Sequence, residues 1–283
     1  MGPQWPQRIT IVGLGLIGGS LGLALREHRP DVRVVGVDCD ERALDRAVHR
    51  GAVHEAHRSL RDGVADAELV VLAAPVSIVL EHLDRLPALV EGNAIVTDVG
   101  STKRTICRRG HECLSGRFVG GHPLVGAERT GIDAARADLF RRGHWVLTPE
   151  NGHKAPAHLR TLWDALGANV ISMTPERHDR IVAATSHLPQ LLSVALGARL
   201  ADGADADEAY RSLIASGGAD WLRLTRSAPE IWRDIAATNA DRLHDEIQAL
   251  IAHLQALDGD LHRLDEAFER ARRLEIPNGN PVP

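Results

Sequence analysis

Residues 9–28 read ITIVGLGLIGGSLGLALREH: a short β-branched run, a glycine-rich turn, then apolar residues at helical spacing. Gly13, Gly15 and Gly18 form a GxGxxG pattern between that strand and that helix. In such a pattern the first glycine makes the turn, the second lets the backbone approach a pyrophosphate, and the third lets the helix sit close to the sheet. The helix N-terminus then faces the phosphates with the positive end of its dipole. The pattern alone is weak, because a plain glycine turn satisfies it. Its surroundings add weight: Val32–Val37 (VRVVGV) reads as a second buried strand that ends at Asp38, twenty residues beyond Gly18. A carboxylate there accepts the ribose hydroxyls and repels a 2′-phosphate. The stretch therefore predicts NAD rather than NADP, with Gly13, Gly15, Leu16, Ile17, Gly18 and Asp38 against the cofactor.

Strand and helix go on alternating through helices at 41–50, 77–89, 102–114, 132–140 and 157–166, and strands at 68–73, 94–98, 144–149 and 168–173. This predicts an α/β, Rossmann-type domain over residues 1–172, its parallel sheet covered by helices on both faces. Ligands in such sheets lie beyond the carboxyl ends of the strands. Three of those ends carry distinctive loops, at Ala74-Pro75, Gly100-Ser101 and residues 120–126, and Pro75 is assigned to the cofactor. In FVGGHPLVGAERT, residues 118–130, His122 stands among Gly120, Gly121, Pro123 and Gly126, which predicts a loop rather than a strand. An imidazole that titrates near neutrality is a candidate acid or base there, although a solvated loop histidine would look the same.

From Thr174 the periodicity is helical throughout, predicting an all-α domain over residues 173–283. Thr174-Pro175-Glu176 is a helix start, with threonine as cap and proline in the first turn. The helix runs to about Leu200 and bends near Pro189, a shorter one spans 207–216, and a long one begins near Pro229. Between Ile235 and Phe268 apolar residues recur at threes and fours, more than one small domain covers, which predicts a partner subunit.

The 283 residues, 44% hydrophobic and 25% charged, suit two globular domains, and a formal charge of −5 argues against a nucleic-acid partner. Cys39, Cys107 and Cys113 show no disulfide or metal spacing. His54 and His57 (HEAH) lack a zincin spacing and a third ligand, so no metal is expected. With no apolar signal core and no uninterrupted run of 18 apolar residues, a cytoplasmic protein with no membrane partner is expected. The chain ends soon after the helical segment, so no appended regulatory or mutase domain is expected.

Five segments in order, GLGLIGGS, TDVGSTK (97–103), GGHPLVGAE, SHLPQ (186–190) and WLRLTRSAPEIWRDI (221–235), resemble the prephenate and arogenate dehydrogenases of tyrosine biosynthesis. The resemblance runs from about Ile9 to Leu257. It implies a nicotinamide domain followed by a helical dimerisation domain, hence a homodimer, and NAD-dependent oxidative decarboxylation of prephenate or arogenate. Carried over by position, His122 is the catalytic base, Ser101 the serine beside it, Arg223 the arginine that grips a substrate carboxylate, and His187 a substrate-pocket histidine. Glu128, six residues past the base, is read from its place in the sequence as a further substrate contact. Taken singly, Ser101 also reads as a helix cap, Arg223 as a surface ion pair, His187 as a core histidine and Glu128 as a solvated acid. Many relatives read SHLPH where this chain has Gln190, so substrate choice or inhibitor response is expected to differ. β-Hydroxyacid dehydrogenases use a lysine from their helical half, and no lysine follows Lys154. A non-catalytic nicotinamide sensor remains the alternative of another class, though it would need none of His122, Ser101 and Arg223.

Overall fold

The computed structural model describes residues 5–126, 129–150 and 155–274. Strands β1 (Arg8–Val12), β2 (Arg33–Val37), β3 (Glu55–His57), β4 (Leu69–Leu72), β5 (Ile95–Asp98), β6 (Phe118–Leu124), β7 (His144–Thr148) and β8 (Asn169–Ser172) form one sheet in the order β3-β2-β1-β4-β5-β6-β7-β8. Pairing is parallel except between β6 and β7. The strand order reverses between β1 and β4, which opens a crevice at their carboxyl ends. Helices α1 (Leu16–His28), α2 (Glu41–His49), α3 (Leu60–Val64), α4 (Val76–Arg85), α5 (Arg104–Leu114) and α6 (Ala157–Ala165) connect or flank the strands. In β4 (LVVL), Leu69 and Val71 join one apolar cluster with Ile9 and Ile11, while Val70 and Leu72 join another with Val12 and Val37. This period of two builds a core on each face of the sheet.

Some expectations change in the structure. The short strand β3 carries no apolar alternation and was not foreseen. The predicted helix over 132–140 is only a single 3₁₀ turn at Ile132–Ala134. Its apolar spacing is helical, with Ile132, Ala135, Leu139 and Phe140 buried. However, Arg50 binds the carbonyls of Ile132 and Ala135, and Ser20 Oγ accepts the Arg136 N–H, so the backbone groups a helix would use are taken by other elements.

His122 lies on β6, not on a loop. Beyond Val119, β5 has ended and β6 pairs only with β7, so Pro123 occupies an edge where a missing N–H is tolerated. Gly120 and Gly121 serve close packing rather than turning. A Cβ on Gly120 would stand 2.3 Å from Thr148 Oγ1, and one on Gly121 would stand 2.5 Å from the Asp98 carbonyl oxygen.

The chain forms two compact units, Met1–Val182 with Arg226–Asn239, and Ala183–Thr225 with Ala240–Pro283. The first unit therefore extends past Ser172 and takes in α7 (Pro175–Val182) and, after α8 (Leu188–Ala206), α9 (Ala209–Ser212) and α10 (Ser216–Leu222), also α11 (Pro229–Thr238). Thr174 Oγ1 accepts the Arg177 N–H at 3.3 Å and caps α7. Instead of one bent helix, a π-helical turn at Ala183–His187 separates α7 from α8. Pro189 cannot donate to the carbonyl of Thr185 and its ring crowds that group, which displaces the regular ladder. By length and composition alone the stretch Pro175–Ala206 is apolar enough to cross a membrane.

The long helix expected from Pro229 breaks at Asn239 and again at Gly259, where φ is +74°, giving α12 (Ala240–Leu257) and α13 (Leu261–Arg272). Asn239 is fully buried, and its amide Nδ2 donates to the Asp179 carbonyl at 2.8 Å while its Oδ1 accepts from Arg104 at 3.0 Å.

Candidate active site

The glycine pattern divides its work as the sequence predicts. Gly13 has φ +99° and donates its N–H to the Val37 carbonyl at 2.7 Å; a Cβ there would meet the Ala73 carbonyl oxygen at 2.3 Å. A Cβ on Gly18 would lie 1.9 Å from the Gly13 oxygen, so α1 packs directly on the turn. A Cβ on Gly15 would meet nothing within 4 Å, leaving open space at the N-terminus of α1, which no side chain caps. Leu16 and Ile17 open that helix and are half-buried. Asp38 ends β2, its Oδ2 accepting the Leu14 N–H at 2.7 Å and its Oδ1 the Asp40 N–H at 2.9 Å. Pro75 starts α4 at the end of β4 and is exposed. An uncapped helix end, an open glycine and an adjacent carboxylate at the switch point fit a dinucleotide.

A second cluster stands at the ends of β5 and β6. Asp98 and Lys103 are both fully buried and form an ion pair, with Lys103 Nζ also donating to the Gly121 carbonyl at 2.7 Å. Asp98 accepts the Gly100 N–H at 2.8 Å and the Gly121 N–H at 3.0 Å. One carboxylate thereby fixes both the residue before Ser101 and the residue before His122. Removing either partner of such a pair strands a buried charge, typically at a cost of about 3–5 kcal/mol.

Ser101 is half-buried and does not cap α5, whose N-terminus starts after Lys103 without a local side-chain cap. The carboxylate of Asp179 does that work from α7, accepting the Lys103 N–H at 2.7 Å and the Arg104 N–H at 2.9 Å. A charge at a helix N-terminus satisfies orphan N–H groups and opposes the dipole, so a remote acid outcompetes the local serine. Thr102 meets Thr238 at 2.7 Å between their hydroxyls, and Ser77 donates to Asp234, so α11 braces two of the strand-end loops.

His122 is buried to 8% exposure, and its Nδ1 lies 2.8 Å from Nε2 of His178. His178 Nδ1 lies 2.8 Å from Asp179 Oδ1. Burial holds the His178 imidazole below its ordinary pKa, against the opposing hydrogen bond to Asp179. Burial pushes Asp179 up, but the hydrogen bonds from His178 and from the Arg104 and Lys103 backbone outweigh it, and the carboxyl stands below its usual range. Nearby Cys107 is a buried thiol whose pKa burial pushes up to about 12, a packing residue rather than a nucleophile.

The second unit holds the remaining candidates. His187 is buried at the end of the π turn. Arg223 begins the 3₁₀ turn Arg223–Arg226, is half-buried, and forms no ion pair with another described residue. Two α8 side chains one turn apart hold that segment: Gln190 Nε2 donates to the Leu224 carbonyl at 2.8 Å, and Ser193 Oγ donates to that of Trp221. Glu128 lies outside the described residues. In the HEAH stretch, His54 accepts the Val34 N–H at 2.9 Å through Nδ1.

The sequence reading missed Asp98, Lys103, His178 and Asp179. One signal was legible: a chain that uses arginine for nearly every cation keeps a lysine in TDVGSTK, five residues after a strand-end aspartate. His178-Asp179 gave no such signal, since a polar pair in the first turns of a helix normally faces solvent.

Residues 21–172 match the family profile described as prephenate dehydrogenase, nucleotide-binding domain, and residues 174–271 match the prephenate dehydrogenase dimerization domain. The prephenate dehydrogenase of Bacillus subtilis (strain 168) is 31% identical over 90% of this chain and 70% of that protein. A crystal structure of prephenate dehydrogenase from A. aeolicus in complex with hydroxyphenyl propionate and NAD+ superposes with TM-score 0.86, at 27% identity over 95% of this chain and 98% of that one. The crystal structure of Synechocystis arogenate dehydrogenase has TM-score 0.79 at 34% identity, covering 94% and 98% of the two chains. With both halves matched in order and relatives of this identity and coverage, the chain belongs to the prephenate dehydrogenase family.

Proposed function

We propose that the protein is an NAD-dependent oxidoreductase that converts prephenate to 4-hydroxyphenylpyruvate by oxidative decarboxylation. The observation that carries this reading is His122, held at the end of β6 by a hydrogen-bonded histidine and carboxylate, in the same unit as an open glycine turn and Asp38. Bound NAD supplies the hydride acceptor. His122 takes the ring hydroxyl proton as the carbon–hydrogen bond is broken, with Ser101 bonding the same hydroxyl. Loss of carbon dioxide leaves its electron pair in the ring, and the proton returns from His122 to the new phenol oxygen. Arg223 binds a substrate carboxylate through its planar fork, His187 lines the pocket, and Glu128 is a further contact. Arogenate is the second reading, supported by the identity to the Synechocystis arogenate dehydrogenase. The test is NADH formation by the purified protein with each substrate in turn: a rate with prephenate at least ten-fold above arogenate supports the first, the reverse ratio the second, and no rate with either rejects both.

Asp38 carries the cofactor choice. Losing charge-assisted ribose bonds costs about 1.5–3 kcal/mol, so Asp38→Ser is expected to weaken NAD by about ten-fold or more and leave NADP equal or improved. An unchanged NAD/NADP ratio of kcat/KM in that variant rejects the assignment.

The helical half is read as the dimer interface, and the protein as a cytoplasmic homodimer. Ile235 and Leu243 of the predicted stripe are buried in the chain, but Ile251, Leu254 and Phe268 stay exposed, at 41%, 56% and 55%. Val194 and Leu196 of the apolar helix α8 are exposed as well. A second copy covering these side chains is the simplest use of such a surface. All three cysteines are free thiols, as in a reducing compartment. Sedimentation at micromolar concentration is expected to give a dimer, and a fully active monomer would refute the interface.

A further inference from the structure

We propose that His178 and Asp179 are positioning residues that set the tautomer of His122, placing its lone pair on Nε2 and stabilising the ring once it is protonated. The inference deepens the function proposed above and rests on His122 being its base.

Hydrogen-bond accounting carries it. The Asp179 carboxylate can only accept, so the 2.8 Å contact makes His178 Nδ1 the donor. A neutral His178 then has a bare Nε2, which must accept at 2.8 Å from Nδ1–H of His122. The neutral His122 ring is left with its lone pair on Nε2. When Nε2 takes up the substrate proton, the imidazolium keeps its Nδ1–H pointed at His178, with a carboxylate one ring further on. Asp179 is itself fixed, since its two oxygens also accept the N–H groups of Lys103 and Arg104 at 2.7 and 2.9 Å. The relay and the start of α5, next to Ser101, therefore share one anchor.

Among the described residues, two ion pairs flank the relay. Asp98 and Lys103 neutralise each other from β5 and the start of α5, and Arg104 pairs with Asp179 at 3.3 Å. Neutral His178 and ionised Asp179 agree with the directions in which burial and hydrogen bonding push the two groups.

The test uses three readouts on the full-length protein. Nitrogen-15 spectra of ring-labelled histidines at pH 8, assigned by the signal lost in His122→Asn, should show protonated Nδ1 and bare Nε2 for His122. In His178→Leu that pattern should become a mixture, turnover should fall by roughly ten- to a hundred-fold with KM for substrate and NAD little changed, and the acid limb of the turnover profile should move to lower pH. His178→Gln, whose carbonyl oxygen can replace the acceptor, should restore most of the turnover. If His178→Leu does not fold, the wild-type spectrum and His178→Gln decide the matter. An Nε2–H tautomer in the wild type overturns the proposal, as does His178→Leu with normal turnover and an unmoved acid limb. A wild type inactive with both prephenate and arogenate overturns the function instead, while the spectrum still judges the tautomer.

Discussion

Replacing His122 by asparagine is expected to lower turnover by roughly 10² to 10⁴-fold while KM moves little. The base acts when the hydroxyl proton leaves, not when substrate docks, so its loss belongs to the chemical step. Asparagine keeps a side chain that can donate to His178, which separates proton transfer from packing. The neutral imidazole is the active form, so wild-type turnover falls on the acid side with the titration of one group, and that limb should vanish in His122→Asn. A variant with near-normal turnover and the same limb would make His122 structural.

Arg223→Leu is expected to fail differently. The carboxylate it binds is present before and during the reaction, so the interaction lost is one of uniform binding. Unpairing a desolvated charge costs about 2–5 kcal/mol, which predicts a strong rise in the substrate KM with a smaller change in turnover. Steady-state kinetics at saturating NAD separates the two. A fall in turnover at unchanged KM would place Arg223 at the chemical step rather than at a carboxylate. Because Gln190 and Ser193 hold the carbonyls on either side of Arg223, its backbone should stay in place when its side chain is cut.

Much of this architecture is legible in residues 9–38, because glycine spacing, β-branched runs and a terminal acid are local signals that each element satisfies within itself. The three glycine roles follow directly from them. What escaped the sequence depends on partners distant along the chain. The segment 132–140 has helical spacing but spends its backbone groups on Arg50 and Ser20. His122 sits on a strand because glycines that usually mark turns here admit Cys107, Thr148 and Asp98. The cap of α5 comes from Asp179, 75 residues away from Arg104, a distance no capping pattern spans. The relay behind His122 was invisible for the same reason: its members are 56 residues apart.

The most direct measurement of the account is the balance sheet of the reaction itself. With purified protein, NAD and prephenate labelled in its ring carboxylate, NADH, labelled carbon dioxide and 4-hydroxyphenylpyruvate should appear in equal amounts, and His122→Asn should slow all three together. Formation of NADH without carbon dioxide, or no NADH from either prephenate or arogenate, would contradict it.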